Sequence, residues 1–155
     1  MKIGVISDTH GRFDPALPRL FRGVDAILHA GDIGALDVIA ALESIAPVLA
    51  VEGNNDHFRR FPVERVERLG GRWILVRHIF GELHQIGREE EQLVERLRPD
   101  VVVFGHSHRP YRARLGLALL FNPGSAGPRR FRLPRTAGLL RLDRGRLEAR
   151  ILSLD

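Results

Sequence analysis

Lys2–Ser7 is an apolar run that stops abruptly at Asp8-Thr9-His10-Gly11. A short run of this kind predicts a strand buried on both faces, with a loop at its carboxyl end. Pro15–Arg22 predicts a short helix, and Ala26–His29 a second strand leading into Ala30-Gly31-Asp32. Leu36–Ile45 has helical spacing, with Leu36, Ile39, Ala40 and Leu42 on one side. Pro47 precedes a predicted strand at Val48–Val51, which runs into Glu52-Gly53-Asn54-Asn55-Asp56. Pro62–Arg68 and Arg72–His78 predict two strands joined at Gly70-Gly71, a hairpin-type connection. Glu89–Leu97 predicts a helix closed by Pro99. Val101–Phe104 predicts a buried strand ending at Gly105-His106-Ser107-His108. Further strands are expected at Tyr111–Leu115, Ala118–Phe121, Thr136–Leu142 and Leu147–Leu152. The Pro- and Arg-rich stretch Gly127–Arg135 reads as a mobile loop.

Nearly every predicted core strand therefore ends in Asp, His or Asn beside a small residue. In open α/β sheets, loops at the carboxyl ends of strands converge on one edge, and sites gather there. The ends at Asp8, Asp32, Asn54, His78 and His106 are expected to share one crevice.

Composition narrows the chemistry. The 155 residues suit one domain spanning 1–155, and 44% hydrophobic with 28% charged residues is an ordinary globular mix. No apolar run reaches the roughly 18–20 residues of a membrane span, so no membrane role is expected. Lys2 is followed at once by Ile3-Gly4-Val5-Ile6-Ser7-Asp8, without a secretory layout, and a cytoplasmic protein is the expectation. The absence of Cys excludes disulfides, Cys-ligated zinc and thiol nucleophiles. Seven His remain as metal-site candidates. Net charge is +5, and 23 of the 24 basic residues are Arg, Lys2 being the one lysine.

In order, the polar blocks are Asp8-Thr9-His10, Gly31-Asp32, Gly53-Asn54-Asn55-Asp56, His78 and Gly105-His106-Ser107-His108. The chain here resembles the calcineurin-like metallophosphoesterase superfamily, and most of all its small phosphodiesterases of the YfcE type. That family's pattern is Asp-x-His, Gly-Asp, Gly-Asn-x-Asp/Glu, His, Gly-His-x-His, in this order. Asn122-Pro123-Gly124-Ser125 also resembles the family's Asn-Pro-Gly-Ser turn. The resemblance covers essentially the whole chain. It implies an α/β (α+β) fold, a four-layer αββα sandwich with helices outside. The first strands are expected to build one sheet, and the C-terminal strands much of the second.

The residues themselves point to metal. Asp-x-His at a strand end aims a carboxylate and an imidazole at one cation, and Gly-His-x-His adds two imidazoles. A mixed carboxylate, imidazole and amide set suits Mn²⁺, Ni²⁺, Co²⁺, Fe or Zn²⁺ better than Mg²⁺ or Ca²⁺. Six or seven ligands exceed what one tetrahedral ion needs, so two ions are indicated. A pair about 3.5–4 Å apart can clamp a phosphoryl oxygen and activate a bridging water. The resemblance implies that Asp8, His10 and His108 bind one ion and Asn54, His78 and His106 the other, with Asp32 bridging. It implies a dinuclear, metal-dependent phosphodiesterase in which a bridging hydroxide attacks a small diester, with manganese the first choice. Asp8, His10, Asp32, Asn54 and His106 are the catalytic set in this reading. Asp56 is expected to orient a ligand imidazole. Homodimerisation is compatible with the family.

Each position has a plainer alternative. Asp8 and Asp32 fit helix caps, and Asn54 and Asn55 fit turn residues. The family often has His-Gly-His where this chain has His78-Ile79-Phe80-Gly81, so His84 is an alternative ligand to His78. His29 is expected to be satisfied within the structure. In monoesterase and nuclease relatives, a His serving as general acid often follows the metal-binding Asn. Asn55 stands there instead, assigned to a turn or a phosphate contact, and His57 is a candidate proton donor beside the substrate. Arg129–Arg135 fits a solvated basic loop better than a nucleic-acid surface, since aromatic residues are 6% and no stacking platform appears. Two readings from other classes stand beside the enzyme. One is a non-catalytic scaffold on the same fold, as in the retromer subunit Vps29. The other is an Arg-rich nucleic-acid-binding domain.

Overall fold

The computed structural model of the protein describes residues 1–82 and 85–155. The elements are β1 (Lys2–Ile6), α1 (Leu17–Leu20), β2 (Ala26–His29), α2 (Leu36–Glu43), β3 (Val48–Ala50), β4 (Glu64–Leu69) and β5 (Arg72–Arg77). Then come α3 (Arg88–Leu97), β6 (Val101–Val103), β7 (Pro110–Leu115), β8 (Ala118–Pro123), β9 (Thr136–Leu142) and β10 (Leu147–Ser153). Each lies within about two residues of its predicted span except the first helix. Pro18 starts α1 in its first turn, where a missing N–H costs nothing. The flanking residues of the expected Pro15–Arg22 helix form turns, ending at Gly23 with a positive φ of 70°.

Two five-stranded mixed sheets face each other, in the orders β10-β9-β1-β2-β3 and β4-β5-β6-β8-β7. The expected sheet membership needs correction. The middle strands β4–β6, with β7 and β8, build the second sheet, while β9 and β10 return to the first. The reason is burial. Thr136–Leu140 are all buried, so β9 needs cover on both faces, which a place antiparallel to central β1 provides.

Three apolar layers separate the four structural ones. Ile3, Val5, Leu28, Val103, Phe121 and Leu140 fill the space between the sheets. Ile6, Leu17, Phe21, Val38 and Leu42 seal α1 and α2 onto the first sheet. Leu75, Leu93, Val102, Phe104 and Leu120 seal α3 onto the second. Neighbouring residues of one strand thus enter different layers, which is why β1 and β6 read as unbroken apolar runs. α3 begins where the Glu90 carboxylate accepts the Gly87 N–H at 3.0 Å, and ends at Arg98 in a left-handed turn before Pro99. No helix among the described residues is long and apolar enough to cross a membrane.

Phe121 is wholly buried, and its ring occupies the space that a side chain at Gly138 would need. Phe121→Ala should therefore cost about 3–5 kcal/mol, read as a lower urea midpoint at unchanged slope.

Candidate metal centre

β1 and β2 run parallel, and their pairing continues past the strand ends. The N–H groups of Asp8, His10 and Gly11 donate to the carbonyls of Gly31, Asp32 and Ile33 at 3.0, 3.0 and 2.7 Å. The loops after β1 and β2 therefore leave the sheet side by side. Asp8, His10, Asp32, His106 and His108 all have positive φ, between 45 and 69°. Asp and His tolerate this left-handed backbone better than most residues. The sharp turns hold both members of Asp8-x-His10 and His106-x-His108 near one crevice. The helix-cap alternative for Asp8 and Asp32 fails, because Ala16 and Ala35 occupy the N-cap positions of α1 and α2.

Among the described residues two tight groups result: Asp8 with His10 and His108, and Asp8 with Asp32 and His78. Asp8 Oδ1 is 3.3 Å from His108 Nε2, 4.0 Å from His10 Nε2 and 3.8 Å from His78 Nε2. Asp32 Oδ1 is 3.4 Å from His78 Nε2, and Oδ2 is 3.8 Å from His10 Nε2. His10 and His108 bring their Nε2 atoms within 3.2 Å of each other. His106 lies outside both groups, exposed, with its ring edge-on to His78 at a 5.3 Å centroid separation. Asn54 is exposed beside His78, at the lip of a cleft of about 260 Å³ whose apolar wall includes Val63 and Ile79. His84 lies outside the described residues.

Neighbours aim these groups. Asp8 Oδ2 accepts the Ser7 hydroxyl at 2.7 Å and the His106 N–H at 3.1 Å, while Oδ1 is buried with no hydrogen-bond partner among the described residues. His78 Nδ1 donates to the Ala30 carbonyl at 2.7 Å, which turns an equally unpartnered, buried Nε2 toward both carboxylates. Burial pushes His78 down, but Asp32 and Asp8 outweigh it and leave its pKa raised. Burial pushes Asp32 up, but the His78 ring and the two Asn55 donors outweigh it and hold the carboxyl well below the usual range. Burial lowers His10, with Arg130 adding to the effect and Asp32 and Asp8 opposing it. Buried carboxylates facing imidazole nitrogens call for a cation between them, either a proton or a metal.

One expected role comes out differently. Asp56 accepts three backbone N–H groups, from Ile33, Gly34 and Gly53 at 3.0, 3.0 and 2.9 Å, rather than an imidazole. It ties the loop after β2 to the loop after β3. Asn55 lies in a turn, one of the two roles expected of it, and from there grips Asp32 through its backbone N–H at 3.0 Å and its side-chain amide at 2.7 Å. Sequence reasoning missed both grips, although Asn55 and Asp56 stand next to Asn54. Gly53 is needed because a Cβ there would run into the Asp32 carboxylate. His57 is exposed. His29 is fully buried and satisfied as expected: Nδ1 accepts the Gly31 N–H at 3.2 Å, and Nε2 donates to the Thr9 hydroxyl at 2.9 Å.

Mixed carboxylate and imidazole donors, with an orphaned oxygen and an orphaned nitrogen pointing inward, fit divalent transition metals. The Calcineurin-like phosphoesterase superfamily domain matches residues 1–145 in sequence. The chain belongs to that superfamily. A probable metallophosphoesterase of Methanothermobacter thermautotrophicus is 36% identical over 98% of this chain and 92% of its own length. A phosphodiesterase of Methanocaldococcus jannaschii is 29% identical over 80% of this chain and 83% of its own. Among solved structures, Vps29 of Entamoeba histolytica complexed with Zn²⁺ aligns at a TM-score of 0.78 over 100% of both chains. At 22% identity, that likeness shows the fold alone. As a member of the superfamily, the protein is a metal-dependent phosphoric ester hydrolase.

Burial, only partly offset by Asp8 and Asp56, pushes His29 down from 6.5 to about 4. The unfolded chain binds a proton below pH 6.5 that the folded chain refuses until about pH 4, so stability falls across that window. Between pH 7 and 4, the metal-free wild type should lose about 3 kcal/mol more than His29→Gln in urea unfolding. Parallel curves would contradict this.

Proposed function

We propose that the protein is a phosphodiesterase with a dinuclear centre, manganese being the first candidate ion. Asp8, His10 and His108 hold one ion in this reading, and Asn54, His78 and His106 hold the other. Asp32 spans the two, because its oxygens face different sides: Oδ2 toward His10 and Oδ1 toward His78. The observation that carries the reading is the bare, buried Asp8 Oδ1 shared by both tight groups. Divalent ions bound there supply Lewis acidity and lower the pKa of coordinated water. The chain's own residues fix the geometry. Ser7 and the His106 N–H hold Asp8, Asn55 holds Asp32, and the Ala30 carbonyl sets the His78 tautomer.

The reaction displaces an alcohol from phosphorus by water. The bond from phosphorus to the ester oxygen breaks, and the leaving oxygen takes a proton. Asn55 has no acidic proton, and its amide is engaged by Asp32. The leaving group must therefore be acidic in its own right or take its proton from solvent or from exposed His57. This favours diesters with good leaving groups over unactivated monoesters. The cleft between Asn54 and the Val63–Ile79 wall is open to the second ester group.

A metal-by-substrate matrix on purified protein tests this. Bis-p-nitrophenyl phosphate should turn over with Mn²⁺ and stop with EDTA. Asp8→Asn and His108→Ala should lose more than the roughly 10–100-fold that outer-shell changes cost, with folding intact. Metal uptake without turnover of any ester would overturn the enzyme reading in favour of a Vps29-like scaffold. The same matrix compares ester classes: the aryl diester should exceed an alkyl monoester in kcat/KM, and the reverse order would sink the leaving-group argument.

A further inference from the structure

The segment from Gly127 to Arg135 is exposed over residues 128–132, as expected of a solvated basic loop, but it is pinned at both ends. Arg135 is buried and bonds to Asp14 at 2.6 Å, to the Gly127 carbonyl at 2.8 Å and to the Ala126 carbonyl at 3.0 Å. Arg129 pairs with Asp155 at 2.6 Å. Between these anchors the chain makes a tight turn, in which the Leu133 N–H donates to the Arg130 carbonyl at 3.1 Å and Phe131 takes a left-handed φ of 52°.

Arg130 stands apart from its neighbours. Its Nη2 lies 3.4 Å from His10 Nε2, the atom that faces Asp8 and Asp32. Among the described residues, Arg130 has no carboxylate within ion-pair distance, whereas Arg129 and Arg135 each have one. A guanidinium held at the rim of a cation-binding crevice is repelled by whatever cation enters. An anion that touches both removes that repulsion. A phosphoryl group has non-bridging oxygens enough to do so, and the planar fork of arginine fits two of them.

We propose that Arg130 is a substrate-binding residue whose guanidinium takes the phosphoryl oxygens of an ester seated at the metal centre. The inference rests on the phosphoesterase reading of that centre. It assigns one arginine of the basic segment to a specific contact, where general charge attraction would involve them all alike.

Inorganic phosphate is the probe, titrated calorimetrically into the Mn²⁺-loaded protein. Arg130→Ala should weaken phosphate binding by about 10–100-fold, with Mn²⁺ uptake and thermal midpoint unchanged. Arg130→Lys should fall between it and the wild type, keeping the charge without the fork. Arg132→Ala, in the same segment, should match the wild type. With bis-p-nitrophenyl phosphate, the loss in Arg130→Ala should appear in KM at least as much as in kcat. Phosphate binding by Arg130→Ala within about two-fold of wild type overturns the proposal, as does an equal loss in Arg132→Ala. A wild type that takes up Mn²⁺ but neither binds phosphate nor turns over an ester overturns the phosphoesterase reading, and this inference with it.

Discussion

Asp8 Oδ1 sits in the protein interior with no hydrogen bond among the described residues, facing the Nε2 atoms of His108 and His78. A bare carboxylate oxygen in such a place is costly, because burial removes the water that would otherwise solvate its charge. The rest of the crevice is arranged around supplying a cation to it. His78 has its other nitrogen spent on the Ala30 carbonyl, so only Nε2 is left to offer. His10 and His108 turn their nitrogens toward the same space. The raised His78 and the lowered Asp32 show the same demand expressed through protons.

Holding that arrangement strains the backbone. Five of the seven proposed ligands, all Asp or His, are left-handed, each at a cost of order 1–3 kcal/mol. The surrounding structure offsets this through packing and backbone pairing. The sheet beneath is sealed on both faces, and the loops after β1 and β2 extend its pairing beyond the strands. Asp56, in the loop after β3, bonds across to Ile33 and Gly34 in the loop after β2, and Gly53 leaves room for the Asp32 carboxylate. Stability and site geometry are thus coupled: the three apolar layers keep the strand ends in register, and the register sets the ligand positions.

Much of this is legible in the amino-acid order. Apolar runs that stop at Asp, His or Asn beside glycine mark both the strands and the crevice, because one local pattern encodes both. His29 is legible as a satisfied residue from its place inside a buried strand. What is not legible depends on distant partners. The Thr136–Leu142 strand reads correctly as a strand, but its place beside β1 follows from which faces need cover, a property of the assembled sheets. Asn55 and Asp56 read as turn and support residues, yet their partners lie 22–23 positions earlier in the chain, at Asp32, Ile33 and Gly34. Arg130 is one arginine among several until the fold lays it against His10, 120 positions away.

The fold itself does not choose between catalysis and scaffolding, since Vps29 shares it at a TM-score of 0.78. The choice rests on the ligand set, and the central claim is that this crevice takes two ions at once. Anomalous diffraction from Mn²⁺-loaded crystals measures that directly. The account predicts two peaks, one against Asp8, His10 and His108 and one against His78, with Asp32 between them. A single peak at saturating Mn²⁺, or peaks away from these side chains, would contradict it.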